Sequence, residues 1–174
     1  MAFDLNSLLQ QYLGASAAQP SSAASDHYQQ VAQNAPPSVV SGGLADAFRS
    51  DQTPPFADMV SQMFGQANPD QKAGMLNQLI NALPPGALAS ILGSGALGGI
   101  AGAAGAGGRQ IAPQDASRVT PDQVQQIAEH AEQRNPTVID KMSDFYAQHP
   151  ALVKTLGGAA LTIALAKIAN SMKA

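Results

Sequence analysis

The residues best suited to chemistry near neutral pH are three histidines, His27, His130 and His149, in a chain of 174 residues. None of them sits in a metal-binding pattern such as HExxH. Glu129 and Glu132 flank His130, but positions i−1 and i+2 project from different sides of a helix, so the three groups do not converge. Asp140 and Asp144 lie one helical turn apart, a spacing that could form a weak cation site, but Lys141 and an exposed helix surface account for them better. Asp46 and Asp51 around Arg49 read as ordinary surface charge. Neither a phosphate-cradling Walker loop nor a GxSxG nucleophile elbow is present. The absence of cysteine excludes disulfides, thiolate chemistry and Cys-ligated zinc. The expectation is a protein that is not an enzyme, with no catalytic residue, no cofactor and no metal site.

The elements that would position any site are organised around a Gly/Ala-rich stretch, ALASILGSGALGGIAGAAGAGG, from Ala87 to Gly108. No charged residue falls between Ala73 and Gly108, and Gly95/Gly99 and Gly98/Gly102 repeat the four-residue spacing that lets membrane helices approach closely. Against a spanning role, large apolar residues stop at Ile100, and a transmembrane helix needs about 20 predominantly apolar residues. A tract of this composition, rimmed by Arg109, Gln110 and Pro113, reads as a flexible connector. Gly93 to Gly98 also matches GxGxxG, but no strand precedes it and AGAAGAGG is a poor helix opening, so the match carries no dinucleotide site.

On either side of this tract the chain reads as helix. Phe3, Leu5, Leu8, Leu9, Tyr12 and Leu13 recur at helical spacing, giving an amphipathic helix over 1–14. It suits either a detachable docking helix or one packed on the core. A signal peptide fits poorly, since the first basic residue is Arg49 and Asn6, Gln10 and Gln11 interrupt the apolar run. A Ser/Ala/Pro-rich tether follows over 15–25, then a first helical segment over 26–92. Within it, Pro36-Pro37, Pro54-Pro55 and Asn68-Pro69-Asp70 punctuate successive helices, the last with a capping side chain and an acid in the first turn. The linker covers 93–118. The second helical segment, 119–174, opens with a capping box at Thr120-Pro121-Asp122-Gln123 and restarts at Asn135-Pro136 and His149-Pro150. The final helix, from Pro150, holds only twelve uncharged residues between Lys154 and Lys167, too few to cross a bilayer. Gly157-Gly158 within it is expected to mark a close helix crossing. No stretch alternates with period two, so no strand is expected.

The two segments echo each other. Tyr28-Gln29-Gln30-Val31-Ala32 aligns with Val124-Gln125-Gln126-Ile127-Ala128, and Pro37-Ser38-Val39-Val40 with Pro136-Thr137-Val138-Ile139. The fold expected is all-α: two small helical segments, a possible internal duplication, joined by the Gly/Ala tract and packing as one helical bundle. The FDLNSLLQQYLG opening and the TPDQVQQIAEHA helix, in a Gly-rich, Cys-free layout, resemble the YidB-like helical proteins of bacteria. The resemblance covers about a third of the chain and contains no functional motif; it implies a bacterial, all-helical, non-enzymatic protein.

Composition narrows the role. A net charge of −3, with nine basic residues spread from Arg49 to Lys173, argues against nucleic acid as a partner. Aromatic residues make up 5% and charged residues 12%, so the core is built from small aliphatics while little charge guards the surface. Both features favour self-association. The expected function is a cytoplasmic, self-associating structural or adaptor module, a homo-oligomer acting through protein–protein contacts. The alternative is a membrane-associated protein that uses the Gly/Ala tract and the C-terminal helix as lipid contacts.

Overall fold

The computed structural model describes residues 4–13, 22–93, 95 and 110–173, which form eleven helices and no strand. These are α1 (Leu5–Gln10), α2 (Ala24–Asn34), α3 (Pro37–Phe48), α4 (Phe56–Gln66), α5 (Pro69–Ala82), α6 (Pro85–Gly93), α7 (Pro113–Ala116), α8 (Pro121–Arg134), α9 (Val138–Ala147), α10 (Pro150–Val153) and α11 (Gly158–Lys173). The fold is all-α, as expected, with helices packed on helices. Most of the Gly/Ala tract, with its small-residue pairs and its GxGxxG match, lies outside the described residues, as does most of the tether.

Local chemistry sets many of the helix starts. Asn68 accepts a hydrogen bond from the backbone N–H of Gln71 at 2.8 Å while the Gln71 side chain accepts from the Asn68 N–H at 3.1 Å, closing the capping box before Pro69. Thr120 and Gln123 repeat the arrangement ahead of Pro121. Each box satisfies N–H groups that a helix start leaves without partners, and each cap is worth about 1 kcal/mol.

Contacts group the chain into two compact units. Unit 1 combines Met1–Pro55 with Ser143–Ala174, and unit 2 is the continuous stretch Phe56–Met142, with the boundary falling inside α9. This grouping divides the chain elsewhere than the segments 26–92 and 119–174. In unit 1, α11 packs against α3, α2 and α1, and α10 packs against α2. Its core holds Tyr28, Val31, Leu44, Phe48, Tyr146, Leu161, Leu165 and Ile168. The tightest approach is at Gly43 of α3. A Cβ there would overlap Ile168 Cγ1 and lie 3.0 Å from the Ile168 backbone nitrogen and 3.2 Å from the Ala164 carbonyl oxygen. The absence of a side chain at position 43 is what lets α3 and α11 close on each other.

That crossing is not where the sequence placed it. The C-terminal helix expected from Pro150 onward is broken into α10 and α11 by a turn over residues 154–157. Gly157 has open space around its Cβ position, and its carbonyl accepts from the Leu161 N–H at 3.2 Å. Gly157 therefore marks no crossing, and Gly158 opens α11.

In unit 2, α4 packs on α8 and α5, and α5 also meets α7 and α8. The core comprises Phe56, Met59, Val60, Met63, Phe64, Met75, Leu76, Leu79, Val124, Ile127 and Ala128. Residues 110–118, expected within the linker, are docked. The Ile111 N–H donates to Asn77 Oδ1 at 2.6 Å, Asn77 Nδ2 donates to the Ile111 carbonyl at 3.3 Å, and Ile111 and Ala116 are buried. One asparagine thereby satisfies both backbone polar groups of a residue outside any helix, which a buried backbone requires.

The echoed helices fall in different units. Tyr28 and Val31 of α2 and their counterparts Val124 and Ile127 of α8 are all fully buried, so the echo preserves an inward face. Their neighbours differ, since α2 meets α1, α3, α10 and α11 while α8 meets α4 and α5.

Candidate interaction surface

The three histidines do not assemble. His27 Nδ1 lies 2.6 Å from the Tyr12 hydroxyl in a hydrogen bond, with the two rings edge to face. His149 Nδ1 is 2.8 Å from the Phe145 carbonyl oxygen, one turn back, and the ring stacks on Phe145 at 4.3 Å between centroids. His130 is exposed on α8. Asp46, Arg49, Asp51, Asp140 and Asp144 are all exposed. No group of three or more His, Asp or Glu side chains able to hold a metal is found among the described residues. Burial, and secondarily repulsion from Glu129, raises the Glu132 carboxyl above its ordinary range, which fits two acids sharing a flank of α8.

Among the described residues, each unit presents a groove. In unit 1 a groove of about 360 Å³ runs between α1 and the end of α11, lined by Asn6, Leu9, Gln10, Leu13, Ala169, Met172 and Lys173. A six-residue helix such as α1 has little stability of its own, so its position depends on tertiary anchors. Asp4 supplies the cap. Its carboxylate accepts from the Ser7 hydroxyl at 3.0 Å and from the N–H groups of Ser7 and Asn6 at 3.3 and 3.1 Å. These bonds, the Ser7 hydroxyl foremost, hold its carboxyl below the usual range. Leu8, Leu9 and Tyr12 are buried, and the Tyr12–His27 bond ties the following turn to α2. The described part of residues 1–14 lies packed on α2 and α11. The groove it leaves is apolar along Leu9, Leu13, Ala169 and Met172, with amides and Lys173 at its rim. Met172, at 37% exposure, is the exposed large hydrophobic side chain among the described residues.

In unit 2 a smaller groove of about 230 Å³ lies between α6 and α8, lined by Ala87, Ser90, Ile91, His130 and Arg134. Neither groove is marked by a motif in the sequence. The signal for the second is present in part, because His130 and Arg134 stand at i and i+4, but no capping or periodic signal marks α6, at the end of the first helical segment, as their neighbour.

Unit 1 also contains two buried phenols. The hydroxyls of Tyr28 and Tyr146 make no hydrogen bond among the described residues, and burial raises both phenols above the ordinary tyrosine range. They lie on faces packed into the core, and neither lines a groove described above.

Among the described residues no helix is long and apolar enough to cross a membrane. The apolar residues of α11 from Ala160 to Ala166, with Ile168 and Ala169, are buried in the protein. Comparison with protein-family models, with curated proteins and with solved structures finds no match for this chain.

Proposed function

We propose that the chain is a non-enzymatic, self-associating structural or adaptor module of the bacterial cytoplasm, acting through protein–protein contacts. The observation that carries this reading is the groove between α1 and α11, which leaves Leu13 and Met172 accessible beside polar rim groups. An apolar centre with a polar rim is the anatomy of a protein interface. The low charge content adds to it, because few charged side chains keep copies apart. A two-fold dimer is the simplest closed assembly, with the same patch contributed by each copy. The bacterial setting comes from the resemblance of the FDLNSLLQQYLG and TPDQVQQIAEHA segments to YidB-like proteins.

The test is light scattering after size-exclusion chromatography, on the wild type and on Met172→Glu. A dimer mass at micromolar concentration that becomes a monomer mass in the variant is the expected outcome. A wild-type monomer across the whole accessible range overturns the proposal, and a variant that stays dimeric removes this groove from it.

A further inference from the structure

The groove between α6 and α8 has a chemistry the interaction surface lacks. Arg134 and His130, one helical turn apart on α8, bring a guanidinium and an imidazole to one wall. Ser90 of α6 brings a hydroxyl, and Ile91 and Ala87 supply an apolar wall. None of the lining residues is acidic. The acids of α8 nearest to His130, Glu129 and Glu132, stand at i−1 and i+2 and so project from other sides of the helix. No hydrogen bond or ion pair engages the Arg134 guanidinium or the His130 ring among the described residues.

We propose that this groove binds the phosphate group of a small phosphomonoester. The guanidinium presents a planar fork of N–H donors that fits phosphate oxygens two at a time, and the imidazole adds a donor one turn away. The Ser90 hydroxyl, which now donates to the Gly86 carbonyl at 3.1 Å, can turn to donate to a third oxygen. The volume favours a small ligand, since about 230 Å³ falls below the roughly 300–1,000 Å³ of drug-sized sites yet exceeds what a bare phosphate ion needs. The surplus space runs along Ile91 and Ala87, so a short carbon skeleton fits beside the phosphate. A nucleic acid does not fit, because a polyphosphate backbone needs a line of cations and this wall holds two groups.

The experiment uses the full chain and reads the imidazole C–H resonances by NMR at constant pH and ionic strength. The titrants are inorganic phosphate, glycerol 3-phosphate and, as a monoanion control, acetate. His27 and His149 act as internal controls, because each ring is already engaged, by Tyr12 and by Phe145. The expected result is a saturable shift confined to His130, tighter for glycerol 3-phosphate than for inorganic phosphate and absent with acetate. Arg134→Gln weakens binding at least tenfold, and Arg134→Lys, which keeps the charge without the fork, falls between. Position 134 is exposed, and an unchanged circular dichroism spectrum confirms that the variants fold. Equal shifts at all three histidines, a non-saturating response, or an Arg134→Gln titration like that of the wild type overturns the proposal. Saturation by inorganic phosphate alone, with glycerol 3-phosphate excluded, overturns the phosphomonoester assignment.

Discussion

Unit 1 and unit 2 close their cores by different means. Unit 1 joins segments far apart in sequence, and its central event is steric: Gly43 lets α3 lie against Ile168 of α11. Its described long-range polar links include Lys154 Nζ donating to Gln29 Oε1 at 3.1 Å, the Lys154–Asp26 ion pair and the Tyr12–His27 bond at α1. It also buries two phenol groups without hydrogen-bond partners. Unit 2 is continuous in sequence and binds its pieces with directed polar contacts. Gln125 of α8 donates to Asp58 of α4, Asn135 Nδ2 donates to the Ala82 carbonyl at 3.1 Å, and Asn77 holds Ile111 by both backbone groups. A backbone-to-backbone approach tolerates almost no added volume, whereas a polar clamp tolerates volume but not the loss of its side chain.

Substitutions at the two kinds of closure test that contrast, and the protein carries a convenient reporter. All three tyrosines, Tyr12, Tyr28 and Tyr146, belong to unit 1 and there is no tryptophan, so tyrosine fluorescence reads unit 1 alone. The largest effect is expected from Gly43→Leu. Overpacking against backbone atoms that cannot move aside costs about 3 kcal/mol or more, and the tyrosine signal loses its native character at temperatures where the wild type is folded. A melting temperature within a degree of the wild type's would show that the crossing is looser than described.

A smaller effect is expected from Asn77→Ala in unit 2. It leaves the N–H and carbonyl of Ile111 without partners at a buried position, at a cost of about 1–3 kcal/mol. Amide exchange at Ile111 should accelerate while tyrosine fluorescence at low temperature stays native. Unchanged protection at Ile111 would remove Asn77 as its clamp.

The smallest effect at neutral pH is expected from Tyr146→Phe. The hydroxyl it removes has no partner, so stability there should change by less than about 1 kcal/mol, toward greater stability if it changes at all. The difference emerges in alkali. Burial raises the Tyr146 phenol in the folded protein, while in the unfolded chain it ionises near its ordinary value of 10.0. The unfolded state therefore binds fewer protons at high pH. The phenol's contribution is intact below about pH 10 and declines as pH rises through the folded-state value, by about 1.4 kcal/mol per pH unit for each such group. Tyr146→Phe should flatten this alkaline slope in urea titrations followed between pH 9 and 11. A slope equal to the wild type's would mean that the folded protein accommodates the phenolate.

What the sequence discloses follows the same divide. Asn68-Pro69 and Thr120-Pro121 announce their helices because capping is local, with both partners three residues apart. The inward faces of α2 and α8 are equally legible, since helical periodicity alone marks Tyr28, Val31, Val124 and Ile127. The Gly43 crossing is not, because its reason lies in Ile168, and the two Gly residues at 157 and 158 look the more suggestive pair. Docking of residues 110–118 depends on Asn77 in the same way. The candidate phosphate groove needs α6 brought beside α8, a long-range pairing that neither the composition nor the periodicity of the two segments announces.

The two-ended make-up of unit 1 has a consequence for the order in which the protein can be made. Gln29 and Lys154, joined in the folded state, are 125 residues apart in sequence. Unit 2 lies wholly between the two parts of unit 1, so all of it leaves the ribosome before α11 does. At about 5–20 residues per second, Ser143–Ala174 takes on the order of seconds to add. Through that interval α2 and α3 carry Tyr28, Val31, Val40 and Leu44 without the helix that will cover them. A transcript truncated ahead of α11 would make the interval permanent and leave a finished unit 2 flanked by an adhesive N-terminal helix pair.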